Sequence, residues 1–473
     1  MSKNAEEDQL KDRLEQLRCH FTWKLIIEDV ELSDLENRVF EEIEFLDTKF
    51  NVAIHNLLAY VKHLKGQNTE ALQSLKHAED LIQREHADQS EVRRLVTWGN
   101  YAWLYHHMGS LEEARIYLDK VENTCKKFAS PSRYTVESPD MDCEEGWAFL
   151  KCGIQNYERA KACFEKALEV DPENPEFNIG YAIAVYRLDI FSKPSQTLRT
   201  LKQALRLNPE NAYIKALLAV SLQGVGQEAE GEKYIKEALR SASSQTYVFR
   251  YAGKFYRRKG SVDEALRFFK MALEKTPSSA FLHHQVGLCY KTQMIQIKKA
   301  NNWQPRGRDK ENIHRLIQMA ICEFEKALKV RPIFHMVYMD LAEVYAEMGQ
   351  HRKAEDTFQQ LLSIGVFGDS VRQQIHFRYG RFQEFHRRSE ADAIVHYLKA
   401  VTIEKPTFSR ENSLSALEKL VLRKLRRNEA DVESLSILGF VYKLTGGMHE
   451  ALECYERALR LAAGSEGSVG RVP

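Results

Sequence analysis

Eight times along the chain, a small residue is followed four positions later by a bulky apolar one, and three positions after that by another small or apolar one. The triplets are Ala71/Leu75/Ala78, Ala114/Leu118/Val121, Ala160/Phe164/Ala167, Ala265/Phe269/Ala272, Ala320/Phe324/Ala327, Ala354/Phe358/Leu361, Ala393/Tyr397/Ala400 and Ala451/Tyr455/Ala458. Residues four and seven apart share one face of a helix, and the small members let a neighbouring helix approach closely. Each triplet therefore predicts a helix packed along one stripe.

A second amphipathic stretch, closed by glycine, stands upstream of the triplets. It is clearest at Phe249, Ala252, Gly253, Tyr256 and Gly260, at Tyr338, Leu341, Ala342, Tyr345 and Gly349, and at Leu438, Gly439, Tyr442 and Gly446. Proline closes several units, at Pro172, Pro209, Pro277 and Pro332. Two helices per unit and a period of about 34 residues identify tetratricopeptide repeats. The predicted fold is all-α, a superhelix (α-solenoid) of roughly nine or ten such units, some degenerate.

Three segments follow from the spacing. In 1–140, two amphipathic helices precede the first repeat, the second with Asp34 as N-cap, and are expected to cap or reach across the array. Repeats near 52–84 and 95–128 come next, then a loop with Pro131 and Pro139. In 141–278 the repeats run almost in register, apart from a short insertion around Ser192 to Gln196. In 279–473 one unit is interrupted after Tyr290 by an insert whose second half, Lys298 to Lys310, is basic and expected to form a loop. Repeats resume near 313, with a longer interval between Ala400 and Ala451, and the tail from Gly464 is glycine-rich.

Composition narrows the class. Only 11 prolines and 23 glycines among 473 residues, with 29% charged and 44% hydrophobic, suit a nearly all-helical soluble protein. Met1 to Gln16 is too charged for a secretory signal, and no apolar run reaches membrane-spanning length. Eight cysteines scattered without CxxC pairs argue against a disulfide framework or zinc site and suit the reducing cytoplasm. No HExxH, phosphate-binding glycine loop or nucleophile elbow is present, and adjacent His283 and His284 point to different sides of a helix. Neither an enzyme nor a metal or cofactor is expected. A net charge of +1 means that any nucleic-acid binding must come from local patterning.

That patterning lies on the first helices of the repeats. The second, fifth, ninth and twelfth places of one repeat are Tyr247, Arg250, Lys254 and Arg257; equivalent faces of its neighbours carry Glu176, Ile183 and Arg187, then Tyr213, then Phe281 and His284. Arg and Lys make charge-assisted hydrogen bonds to phosphate, and aromatic faces stack on bases at about 1–3 kcal/mol each. The pattern fits a groove for a phosphorylated, base-bearing ligand. It equally fits a solvated helix face, or a scaffold groove for acidic peptide ends. Trp147, at the seventh place of its helix, reads also as packing between repeats, and Arg423, Lys424, Arg426 and Arg427 as a solvated face.

Three strings are more specific: Cys19 to Trp23 (CHFTW), Tyr60 to Leu75 (YVKHLKGQNTEALQSL) and Cys143 to Ala162 (CEEGWAFLKCGIQNYERAKA). With them the chain resembles the interferon-induced proteins with tetratricopeptide repeats, nearest the member 1 and 1B branch, over essentially its whole length. The resemblance implies a superhelix closing around a central basic tunnel that takes the 5′ end of foreign single-stranded RNA, triphosphorylated or capped without ribose 2′-O-methylation, and withholds it from translation in the cytoplasm. It also implies a cap pocket of Trp147, Leu46, Thr48, Ile183, Glu176 and Asn211 within the 141–278 segment and the N-terminal helices. Phosphate and first-nucleotide contacts would come from Arg38, Lys151, Tyr157, Arg187, Tyr213, Arg250, Lys254, His284 and Gln285, with Arg257 beside them on the basic face. Position 42 is Glu42 where RNA-binding relatives carry glutamine; a carboxylate about 4 Å from a phosphate charge costs roughly 4 kcal/mol at an effective dielectric of 20, so capped RNA is expected to bind ahead of triphosphate RNA. Leu452, Tyr455 and Leu459 match the segment through which relatives associate with themselves or one another; Tyr455 is also the bulky member of the last triplet. Membranes and DNA are not expected partners.

Overall fold

A computed structural model of the protein describes residues 3–27, 32, 35–36, 39–40, 51–85, 90–188, 194–241, 246–365 and 367–466. Among these the regular structure is helical, with no strand. Ten helix pairs run from Asn51–Leu64 with Asn68–Glu85 to Val432–Thr445 with Met448–Glu466. Each expected triplet lies on the second helix of a pair. The long interval before Ala451 is filled by an additional helix, Phe408–Arg427, which lacks a partner of its own.

The chain forms two compact units, Met1–Cys289 and Tyr290–Pro473. The expected limit at residue 140 does not separate packing units, because one apolar core runs from Leu10 through Tyr134 and Trp147 to Leu222. In the second unit, one cluster gathers Tyr338, Phe358 and Tyr379, and another Tyr397, Leu417 and Val441.

Glycine on the first helix and the bulky triplet residue on the second form the joint of a repeat. Phe164 lies against Gly146 of its own repeat and Gly180 of the next; Phe269, Tyr397 and Tyr455 lie against Gly253, Gly380 and Gly439. A methyl group added at those last three positions would come within 2.6, 2.7 and 2.8 Å of the ring. For the fully buried rings of Phe164, Phe269 and Tyr397, no rotamer escapes such a clash without moving a helix.

The N-terminal segment is bonded to the second and third repeats. Trp103 Nε1 donates to the Leu14 carbonyl at 3.1 Å, and Arg18 pairs with Asp142 and Glu145 at 2.5 and 2.7 Å. Asn156 closes two bonds on Ile26, donating to its carbonyl at 2.8 Å and accepting from its amide at 3.2 Å. Arg159 donates to the Trp23 and Lys24 carbonyls, both at 2.8 Å.

The insert after Tyr290 differs from expectation. It lengthens two helices, to Ala280–Ala300 and Arg308–Val330, so Lys298, Lys299, Arg308 and Lys310 are helical and only 301–307 forms a loop. Lys291, on the first of these helices, bonds Asp340 at 2.9 Å and Glu343 at 2.5 Å, and Arg378 closes the quartet at 2.7 and 2.6 Å; further along, in the added turns, Lys298 pairs with Glu347. Asp34 lies outside the described residues, and the last helix continues past Gly464 to Glu466.

Gly180→Ala should lower stability by about 1–3 kcal/mol, as overpacking does. Gly224→Ala, at a helical position where an added methyl meets nothing within 4 Å, should be neutral or stabilising. Denaturant midpoints of the two variants check the pair.

Candidate nucleic-acid interface

Five first helices, Pro139–Lys151, Pro175–Leu188, Ala212–Gly224, Thr246–Lys259 and Ala280–Ala300, carry most of the expected site residues that are described, while Tyr157 opens the second helix Tyr157–Val170 and Asn211 caps Ala212–Gly224. Proline opens two of the five, where its missing N–H costs nothing. The Asn174 side chain accepts from the amides of Glu176 and Phe177 at 3.0 and 3.3 Å, and Asn211 caps its helix by accepting from Ile214 at 2.9 Å. Asn211 is therefore a structural cap whatever else it contacts.

Trp147 is 8% exposed and meets Phe164 edge to face, with ring centroids 5.5 Å apart. The packing role allowed by its position is thus real. One turn on, Lys151 sets its ammonium 5.5 Å from the indole centroid, and Ile183 is buried. The Glu176 carboxyl approaches the Trp147 indole N–H and the Cys143 thiol, yet the indole nitrogen closes no hydrogen bond of ordinary length.

Glu176 and Glu144 line a cavity of about 20 Å³ with Arg93 and Asp140, which bond each other at 2.6 Å. Asn56 donates to Glu144 at 2.7 Å. Desolvation pushes both glutamate carboxyls up to about 7, outweighing the pull of Asn56 and Arg93 on Glu144 and of Arg93 on Glu176. Glu144, Arg93 and Asn56 were not legible as site residues, since two of them stand on earlier repeats.

The basic positions form a second group. Arg187 donates to the Leu150 carbonyl at 2.6 Å and lies 5.6 Å from the Tyr157 ring centroid. Arg250 donates to Ser279 at 3.2 Å, between the rings of Tyr247 and Phe281 at 5.2 and 5.6 Å. Lys254 reaches the Tyr186 hydroxyl at 3.3 Å and lies 5.8 Å from the Tyr186 and Tyr251 centroids. Burial, and then Arg258 and Arg257, pull the Lys254 ammonium down to about 8. Arg257 donates to Gln285 at 3.4 Å, and both His284 and Gln285 are buried. Arg250 and Lys254 thus do not belong to a solvated face.

Tyr251, which the sequence does not single out, joins these groups. Its ring packs on Tyr213, Tyr186 and Lys254, and its hydroxyl senses Arg187 and Arg250. The missed signal is periodicity: Tyr247, Tyr251, Lys254 and Arg258 form a helical stripe beside the one through Arg250. Arg38, Glu42, Leu46 and Thr48 lie outside the described residues.

In the second unit, Arg423 pairs with Glu384, Lys424 with Asp431, and Arg427 with Glu390, in keeping with a solvated face. Leu452 and Leu459 are 59% and 70% exposed, whereas Tyr455 is half-buried against Gly439. Among the described residues no group of His, Cys, Asp and Glu stands where it could hold a metal ion, and no helix is long and apolar enough to cross a membrane.

The fold defines a tetratricopeptide-repeat protein whose first helices carry this cation–aromatic surface. Models described as "Tetratricopeptide repeat" match residues 51–127, 153–174, 217–280, 337–364 and 432–464. The chain is 65% identical to human Protein IFIT1 homolog B over 98% of its length and 99% of that protein's. It is 63% identical to the human Antiviral innate immune response effector IFIT1, over 100% of both. Interferon-induced protein with tetratricopeptide repeats 2 from Homo sapiens is 44% identical over 97% of each chain. The chain belongs to the family of interferon-induced proteins with tetratricopeptide repeats. Among solved structures, the human IFIT1 dimer with m7Gppp-AAAA has a TM-score of 0.90 at 63% identity, covering 96% of this chain and 100% of that one. The human IFIT1 dimer with PPP-AAAA has a TM-score of 0.87 at 61% identity with the same coverage. A monomeric IFIT1 mutant with one asparagine-to-alanine and two leucine-to-glutamate changes, also with m7Gppp-AAAA, has a TM-score of 0.91 at 63% identity over those shares.

A carboxyl whose folded pKa is raised favours folding below its unfolded pKa, and that contribution disappears as pH rises through the folded value. Glu144→Gln and Glu176→Gln should therefore raise the melting temperature at pH 8 by a few degrees and leave it little changed near pH 4.5. Thermal melts at the two pH values provide the check.

Proposed function

We propose that this protein binds the 5′ end of single-stranded RNA, capped without ribose 2′-O-methylation or triphosphorylated, in the cytoplasm, and blocks translation of foreign messages by sequestering them. The observation that carries the proposal is the set of cations gathered on tyrosine rings around Tyr251, in a chain 63% identical to a protein solved with m7Gppp-AAAA. Binding alone accounts for the activity; no bond need break.

In this reading Arg187, Arg250, Lys254 and Lys151 hold the phosphates, while Tyr157 and Tyr213 take the first nucleotides in a basic tunnel. Guanidinium groups already bonded to Leu150 and Ser279 need little reordering before they meet a phosphate. N7-methylguanine is cationic, so it stacks on the Trp147 indole and gains from the neighbouring Glu176 carboxylate. Because Trp147 is 8% exposed, the base enters by displacing side chains that cover the ring. A 2′-O-methyl group removes a donor and adds bulk, which gives discrimination between foreign and host-type caps.

Three RNAs of one sequence, bearing triphosphate, unmethylated-ribose cap and methylated-ribose cap, test the proposal. The unmethylated cap should bind tightest, and Glu42→Gln should raise triphosphate affinity more than cap affinity. Trp147→Ala should weaken capped RNA by about ten-fold or more. Arg187→Ala should weaken both 5′ ends; a scaffold for protein partners would be indifferent to either change.

Affinity should also fall as pH rises from 7 to 9 in the native protein, since phosphate favours the protonated form of Lys254, whose free value is about 8. Lys254→Arg should flatten that profile.

Self-association, or pairing with another family member, rests on the exposed Leu452 and Leu459. They are spaced seven residues apart, like the two leucines changed in the monomeric IFIT1 mutant. Leu452→Glu with Leu459→Glu should give a monomer by light scattering.

A further inference from the structure

The protein has five tryptophans, and four of them, Trp23, Trp98, Trp103 and Trp147, are between 5% and 9% exposed. The fifth, Trp303, is 61% exposed. It sits in the 301–307 loop of the second unit, on the basic insert that the 5′-end site does not use.

The backbone explains how the indole comes to be presented. The helix Ala280–Ala300 ends with the Trp303 amide donating to the Lys298 carbonyl at 2.7 Å and the Asn302 amide donating to Lys299 at 3.1 Å. This is the paired-bond helix stop in which the outer residue ordinarily packs an apolar side chain back onto the last turn. Here the facing residue is Lys298, whose ammonium is engaged by Glu347, so the indole has no apolar platform to fold onto. Asn302 and Trp303 are both left-handed, at φ 50 and 62, which is unfavourable for a bulky L-residue. Among the described residues, the indole makes no ring contact, cation contact or hydrogen bond. Around it, Lys299, Arg306, Arg308 and Lys310 are exposed and lack ion-pair partners among the described residues, although Asp309 and Glu311 share the following turn.

Exposing a large apolar ring in a left-handed conformation is unfavourable twice over, and among the described residues no contact of the indole offsets it. An unpaired aromatic face among unpaired cations is the surface that single-stranded nucleic acid recognises, through base stacking and backbone attraction without sequence preference. We infer that Trp303, with Lys299, Arg306, Arg308 and Lys310, forms a second contact for single-stranded RNA that engages the body of the strand rather than its 5′ end. The inference rests on RNA being the ligand, and requires neither cap nor triphosphate.

The test uses the full chain and a 20-nucleotide 5′-hydroxyl RNA, followed by anisotropy and by quenching of tryptophan fluorescence, beside a capped tetranucleotide. The native protein should bind the 5′-hydroxyl RNA with quenching. Trp303→Gly should weaken it five- to ten-fold, Trp303→Phe should retain most of the affinity, and neither should alter capped-tetranucleotide binding. Because glycine accepts the left-handed conformation, Trp303→Gly should melt no lower than the native protein. Equal affinity of Trp303→Gly and native protein for the 5′-hydroxyl RNA, or no binding by the native protein, overturns the inference. Failure of the 5′-end reading would show separately, as capped-tetranucleotide binding unaffected by Trp147→Ala.

Discussion

Phe164 is the pivot of the first unit. Its ring is clasped between Gly146 and Gly180 on consecutive first helices, and its edge supports the Trp147 indole. One side chain thus sets the distance between two repeats and the position of the proposed stacking surface. The other joints, at Phe269, Tyr397 and Tyr455, set the spacing within a repeat, each against the glycine that precedes it in its own helix pair. Close packing makes such a joint stiff, because neither a ring nor a helix backbone can yield by a few tenths of an ångström without disturbing its neighbours.

On that frame, charge is managed by aromatic rings. Arg187, Arg250 and Lys254 each lie over a tyrosine and bond a neutral oxygen, from Leu150, Ser279 and Tyr186 respectively. In the second unit the Lys291–Asp340–Glu343–Arg378 quartet instead sets each charge against opposite ones. Opposite charges in contact offset each other, whereas a cation over a tyrosine face gains from the ring quadrupole.

The repeat architecture was legible because a period of four and seven on a helix is a direct image of packing. The inner face was legible only in part: the stripe through Arg250 stands out in the sequence and the adjacent stripe through Tyr251 does not, since first-helix numbering carries no information about how far the inner face wraps. Glu144 and Arg93 escaped because their meeting with Glu176 depends on how three repeats stack. The basic insert misled for a related reason. Its composition suggests a loop, but Lys298, in the added turns of the helix, pairs with Glu347 of the next repeat. Of the residues drawn from the family resemblance, Trp147 stands beside Lys151 and Glu176, and Arg187 beside Tyr157, while Asn211 is seen only as a helix cap and Arg38, Glu42, Leu46 and Thr48 fall outside the described residues.

The N-terminal segment changes how the first unit can come apart. An array whose units touch only their neighbours can fray from its end one repeat at a time. Here bonds such as that between Ile26 and Asn156, 130 positions apart in sequence, tie the outermost segment to the third repeat. Unzipping from that end must break the tie before any repeat is released, so the first three repeats melt as a single block. The strap that imposes this cooperativity ends on the helices bearing Trp147 and Tyr157, and local fluctuations at the mouth of the pocket are thereby tied to the unfolding of a much larger piece of the molecule.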